Sequence, residues 1–200
     1  MMRKWMVLMA LVGATLGVTA AQAGVIRFTA DLTGLAENPD VITPATGWAV
    51  VLYDDVARTM SIRSEFSGLL GTTTAAHIHC CQPNPLANAG VATQTPSFIG
   101  FPLGVTAGVF DNTYDMTLTS SWNAGFITSS GGTTALAEAR LFAAMGRGET
   151  YFNIHTSRFG GGEIRGTLIP EPSALALSLA ALLAAGAISR RRVAPAPLTP

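Results

Sequence analysis

Lysine occurs once in these 200 residues, at Lys4; cysteine occurs twice and histidine three times. Between Gly24 and Pro170 there is no lysine at all. Seven arginines stand there against eleven Asp or Glu, so this stretch carries a formal charge near −4 although the whole chain is neutral. A phosphate-binding surface needs a clustered basic face, so the balance argues against a nucleic-acid partner. Charged residues amount to 12%, which sets the chain apart from charge-rich disordered proteins. No Gly-x-Ser-x-Gly is present, so the usual esterase elbow is missing. Gly160-Gly161-Gly162 has no lysine and no helical pattern after it, which makes it a turn rather than a phosphate loop. No internal repeat and no complete catalytic set is legible, and no residue is assigned a catalytic role.

Both ends read as targeting segments. Met1 to Ala23 has Arg3 and Lys4, then an uncharged apolar run, then Ala21-Gln22-Ala23. That is the order of a secretory signal with a small-x-small cleavage site, so 1–23 is expected to be removed by signal peptidase after Ala23. Near the other end, Ser173 to Ser189 is 17 residues without a charge, followed by Arg190, Arg191 and Arg192. The run is just long enough for a membrane helix over 173–189. The arginines would stay cytoplasmic and leave the main domain outside. Residues 193–200 form a Pro- and Ala-rich tail. What remains for folding, 24–169, suits one domain with its own core.

Pro170-Glu171-Pro172, the apolar segment and Arg190–Arg192 together resemble the PEP-CTERM sorting signal of Gram-negative bacteria over 170–192. The resemblance implies a transient inner-membrane anchor, cut near the motif by an exosortase-type membrane protease. It also implies a final place at the cell surface or in an exopolysaccharide or biofilm matrix. Val193 to Pro200 extends past the point where such tails usually stop.

In the middle, alternation prevails. Phe28, Ala30 and Leu32 alternate with Arg27, Thr29 and Asp31; Met60, Ile62 and Phe66 fall at even spacing; Met116 and Leu118 alternate with Asp115, Thr117 and Thr119. Period two marks strands with one buried face. Twenty Thr between Gly24 and Pro170 suit strands, and 18 Gly suit turns and bulges. Strands are expected near 25–34, 47–54, 58–68, 74–81, 103–110, 113–120, 149–156 and 163–169, with turns at Asp54-Asp55 and Asp111-Asn112. One helix is expected, with Thr133 or Thr134 as N-cap, Ala135 to Met145 as body and Gly146 as stop. Residues 82–102 hold four prolines and read as a long surface loop. The pattern points to an all-β sandwich or barrel.

The three histidines lie in two strand-like segments. His77 and His79 are two apart, so on a strand they share a face, about 6.6 Å apart along it. If the strand carrying His155 packs beside them, three imidazoles converge. Such a set suits zinc or copper, with a fourth position open to water or another ligand. Equally, strand histidines can simply lock two strands together by hydrogen bonds. Cys80 and Cys81 leave three readings open: Cys81 as a further metal ligand, a disulfide between Cys80 and Cys81 in an oxidising compartment, or free or intermolecular thiols. Trp48, Trp122 and Tyr151 could stack on sugar rings or serve as core residues.

Ala76-His77-Ile78-His79, together with Phe152-Asn153-Ile154-His155-Thr156 and Gly161-Gly162-Glu163-Ile164-Arg165-Gly166, resembles the CHRD domain over roughly Arg27 to Ile169. That family is named from chordin, a secreted antagonist of bone morphogenetic proteins. The resemblance implies an immunoglobulin-like Greek-key barrel with weak similarity to copper-zinc superoxide dismutases. His77 and His79 match the His-x-His of those enzymes; Gly161-Gly162 with Arg165 only echoes their Gly-rich segment. A complete two-metal dismutase site needs six histidines, and three are present. Two functions follow as expectations: an exported surface or matrix protein that works by binding, or a single-site copper or zinc protein, redox-active in the copper case.

Overall fold

The computed structural model describes residues 24–84 and 87–172. The signal segment with Ala21 and Ala23, the membrane helix over 173–189, Arg190–Arg192 and the tail lie outside the described residues. Among the described residues, no helix is long and apolar enough to cross a membrane.

Among the described residues, eight strands form one antiparallel sheet. They are β1 (Val25–Thr33), β2 (Thr46–Asp54), β3 (Thr59–Ser67), β4 (Thr73–Cys80), β5 (Gly108–Asp115), β6 (Thr150–Thr156), β7 (Ile164–Thr167) and β8 (Ile169–Pro170). The spatial order is β4-β6-β7-β1-β2-β3-β5, with β8 also paired to β1. The sheet curls into a half-barrel, so the fold is mostly β, as alternation predicts. One continuous sheet takes the place of the two facing layers of a sandwich.

Its inner face is apolar. Phe28 and Leu32 of β1, Val51 of β2, Met60 and Ile62 of β3, Ile78 of β4 and Phe152 and Ile154 of β6 are all buried. Two helices, α1 (Ala124–Ser129) and α2 (Thr134–Gly146), follow β5 and contribute buried residues to the core. Ala137, Leu141, Ala144 and Met145 of α2 face the core. Thr133 caps α2 by accepting from the Leu136 N–H at 3.2 Å, which satisfies one orphan donor of the first turn. Asp54 makes the β2–β3 turn by accepting from Val56 and Ala57 N–H at 2.9 and 2.8 Å. Glu138 ties α2 to that turn, accepting from the Tyr53 hydroxyl and from the Arg58 guanidinium, each at 2.8 Å.

Three expectations need correction. In place of two strands over 103–110 and 113–120, a single strand, β5, runs through Asp111-Asn112. Phe110 and Tyr114 keep one face buried, and Asn112 between them satisfies its amide on the Ile99 carbonyl at 2.9 Å. Period two therefore continues through a dipeptide that resembles a turn. Met116 and Leu118 lie beyond the strand. Residues 82–102 are not a surface loop: Ala92, Thr93, Gln94, Phe98 and Phe101 are buried. Backbone bonds from Ala92 N to Ile78 O and from Phe98 N to Ala76 O fasten this segment to β4. The short helix α1, capped by Asn123, has too few residues to show a period.

Candidate metal centre

β4 and β6 run side by side, with His77 opposite Asn153, His79 opposite Tyr151 and Ala75 opposite His155. Opposed residues of an antiparallel pair project to the same side of the sheet. Alternation along each strand then puts His77, His79, Tyr151, Asn153 and His155 together on the side away from the apolar core. One nitrogen from each imidazole lies within 4.8 Å of the other two. His77 and His79 are buried and His155 is half-buried, because the 82–102 segment and the turn after β6 cover this side.

Each ring has one nitrogen engaged by a backbone carbonyl. Nε2 of His77 donates to the Pro96 oxygen at 2.8 Å. Nδ1 of His79 donates to Ala89 at 2.8 Å, and Nδ1 of His155 donates to Gly160 at 2.9 Å. Carbonyl oxygens only accept, so these contacts place the ring protons. The remaining nitrogens, Nδ1 of His77 and Nε2 of His79 and His155, are left with lone pairs. Nε2 of His79 and Nε2 of His155 lie 3.3 Å apart. Nδ1 of His77 is buried and has no hydrogen-bond partner. Burial, then the facing His155 ring, pushes His77 down to about 4, against the Pro96 bond. His79 is also brought to about 4, chiefly by burial, and His155 is lowered by burial too. All three rings are therefore neutral near pH 7, the state in which imidazole is a ligand.

Behind the rings stands a supporting layer. Tyr151 stacks on His79 with centroids 4.7 Å apart and planes 8° from parallel. Its hydroxyl accepts from the Ala89 N–H at 3.1 Å, gripping the residue that orients His79. The Arg165 guanidinium lies 4.5 Å from the centre of the Tyr151 ring. Arg165 is almost wholly buried; it donates to the Ala36 carbonyl and, at 2.7 Å, to Asn88 Oδ1. Beside it Glu37 is raised to about 7 by burial, partly offset by Arg165 at 3.8 Å.

The glycine-rich segment after β6 has a physical reading. Gly160 supplies the carbonyl that orients His155. Gly162 has φ of +129°, and a Cβ there would sit 2.4 Å from Asn153 Oδ1 and 2.6 Å from Glu37 Oε1. Glu163 is fully buried and accepts from Leu70 N, Gly71 N, Thr43 Oγ1 and Thr156 Oγ1 at 2.6–3.1 Å. Burial pushes its carboxyl up, but these four donors more than offset it, and the net shift is downward. Glu163 is a clamp between loops, not a ligand.

Cys80 and Cys81 are joined to each other by a disulfide. The sulfur of Cys81 is therefore not available as a thiolate, and the expectation of Cys81 as a metal ligand is corrected. Trp122 is a core residue whose indole N–H donates to the Met116 carbonyl at 3.0 Å, and Tyr151 is buried beneath the centre; Trp48 alone of the three aromatics stays half-exposed. Sequence reasoning gave no place to Glu37 or to the carbonyls of Ala89, Pro96 and Gly160. Carbonyls have no residue signature, and Glu37 lies outside any strand.

No curated protein and no solved structure matches the chain. The family model of the CHRD domain matches residues 28–168, from the second half of β1 to the end of β7. The match takes in His77, His79, His155 and the glycine-rich segment, and the chain belongs to the CHRD domain family.

Proposed function

We propose that this domain holds one zinc or copper ion on Nδ1 of His77, Nε2 of His79 and Nε2 of His155. One observation carries the reading: three lone-pair nitrogens face one another with no proton donor among them. Histidines that merely pinned β4 to β6 would offer an N–H to an acceptor across the gap. Here every ring N–H points outward to a carbonyl, the arrangement that fixes tautomer and orientation for metal ligation. The 3.3 Å spacing of the two Nε2 atoms is close to that set by two ~2.0–2.1 Å bonds at a tetrahedral angle. Three imidazoles leave a fourth position for water or an exogenous ligand. Zinc there would be redox-inert, and copper would add one-electron chemistry. The weak kinship with superoxide dismutase-like Greek-key folds belongs to this same reading and rests on His77-Ile78-His79. The test is titration with Cu(II), followed by electron paramagnetic resonance. Coupling to three nitrogens, reduced in His77→Ala, supports the site; a spectrum of scattered surface copper, unchanged in that variant, removes it.

The domain is proposed to work outside the cell: released from its signal segment after Ala23, held briefly by the 173–189 helix, and freed by an exosortase-type protease at Pro170-Glu171-Pro172. The order of the three tail parts supports this. So does the position of Glu171, which is exposed just after β8 and paired with Arg27 at 2.8 Å. A tag placed after Arg192 is expected to be lost from surface-released protein; a tag that stays on the released form would defeat this.

A further inference from the structure

The side of the sheet that bears the histidines changes character along β1, β2, β3 and β5. Among the described residues no loop covers it there, and it forms an open trough of about 610 Å³ lined by Thr29, Asp31, Trp48, Arg63 and Asp111 among others. Past Trp48 it continues into a hollow of about 220 Å³ that Glu65 and Ser67 help to line. Strand register sets Asp31 on one side of Trp48 and Glu65 on the other. Two residues along β2, Val50 lies beside Arg63, which in turn lies beside Asp111. Next come Ser61 and Thr113, with hydroxyls 2.7 Å apart. Asp31, Arg63, Glu65 and Asp111 are exposed, and none makes an ion pair among the described residues.

This combination selects one ligand chemistry. A purely apolar partner would strand the carboxylates flanking the indole. A cationic partner meets Arg63 and Arg27 in the same trough. A polyanion meets Asp31, Glu65 and Asp111. A neutral sugar chain needs a flat apolar platform for its C–H face, acceptors for its hydroxyl protons and donors for its oxygens, and all three are present: the Trp48 indole, the carboxylates of Asp31, Glu65 and Asp111, and the guanidinium of Arg63, Arg27 being already paired with Glu171. From Thr46 to Leu52 the trough follows β2 for about 20 Å, room for several consecutive rings. We infer that the trough centred on Trp48 binds a neutral polysaccharide chain. The indole is the stacking platform, Asp31 and Glu65 accept from sugar hydroxyls, and Arg63 donates to sugar oxygens.

The test is native-gel retardation of the full chain in gels containing hydroxyethyl cellulose, dextran or galactomannan, with alginate as the acidic comparison. Retardation by at least one neutral polymer is expected. Trp48→Ala should abolish it, and the double variant Asp31→Asn with Glu65→Gln should weaken it by about tenfold, the loss of one or two charge-assisted hydrogen bonds. The second variant keeps shape and volume, so an unchanged thermal midpoint separates lost binding from lost folding. The inference is overturned if no neutral polymer retards the chain, if alginate alone does, or if both variants are retarded like the parent. The metal centre does not enter these outcomes.

Discussion

Nε2 of His79 and Nε2 of His155 lie 3.3 Å apart while Nδ1 of each ring donates to a backbone carbonyl, Ala89 and Gly160 respectively. Two neutral rings held this way turn lone pairs toward each other, an arrangement that a shared cation stabilises and an empty gap does not. His77 adds a third lone pair, buried and without a partner. The pH dependence, the supporting residues and the variants below follow from this relationship.

At the proposed centre, protons and metal would compete for the same nitrogens. In the metal-free domain His77 and His79 are pushed down to about 4 from the ordinary 6.5. Bound metal is therefore expected to survive acidification through pH 6.5 and to be lost only as the pH approaches 4 to 5, read by metal retained after dialysis at stepped pH. The same shift affects folding. The unfolded chain takes up these protons near 6.5 and the folded chain does not, so this contribution is intact above about 6.5 and is lost as pH falls toward about 4. Metal loss centred at pH 6.5 would mean that the rings are solvated and independent.

Glu37 acts in the opposite sense. Its carboxyl is raised to about 7, so the folded protein keeps a proton that the unfolded chain has released. Stability contributed here is present below about 4.5 and is lost as pH rises toward 7. Glu37→Gln keeps the shape without the ionisation. It is expected to change little at pH 4 and to stabilise at pH 8 by on the order of 1–2 kcal/mol, measured by urea unfolding at the two pH values. Equal effects at both would show that Glu37 does not titrate in that window.

How much of this is legible in the residues alone depends on the strand. In β1 and β3 one face is apolar and the other polar, and alternation reads them to within a residue or two of Val25–Thr33 and Thr59–Ser67. In β6 the polar face is also buried, by the 82–102 segment and the Gly160–Gly162 turn. There the pattern tells which residues share a side but not that the side is enclosed. His155 meets His77 and His79 because β6 pairs with β4 across more than 70 residues of chain, which periodicity does not encode. The prolines of 82–102 suggest an exposed loop; its backbone bonds to β4 and its buried Phe98 make it a cover instead.

Gly162→Ala tests the cover from the other side. The position needs φ of +129°, and a new Cβ would meet Asn153 and Glu37 at 2.4–2.6 Å. Backbone strain and overpacking together are expected to cost about 2–4 kcal/mol. The thermal midpoint and metal affinity should fall together, since the Gly160 carbonyl beside it orients His155. A neutral substitution would contradict the packing described around Asn153.

Glu138→Ala should uncouple α2 from the β2–β3 turn. It leaves the Tyr53 hydroxyl and the Arg58 guanidinium without their shared acceptor, at an expected loss of about 2–3 kcal/mol, since the Arg58 side chain is partly exposed and water replaces some of what it loses. Metal affinity should be unchanged, because this cluster lies on the core side of the sheet. A drop in affinity that exceeds the drop in stability would show the two regions to be coupled.

The most direct test of the metal centre is the metal content, by mass spectrometry, of the full chain exported to a periplasm and purified without a polyhistidine tag, beside the double variant His77→Ala, His155→Ala. About one copper or zinc per chain, lost in a double variant that still folds, is the predicted result. A folded parent that takes up no metal even after supplementation would contradict it and leave the three histidines as strand-pinning residues.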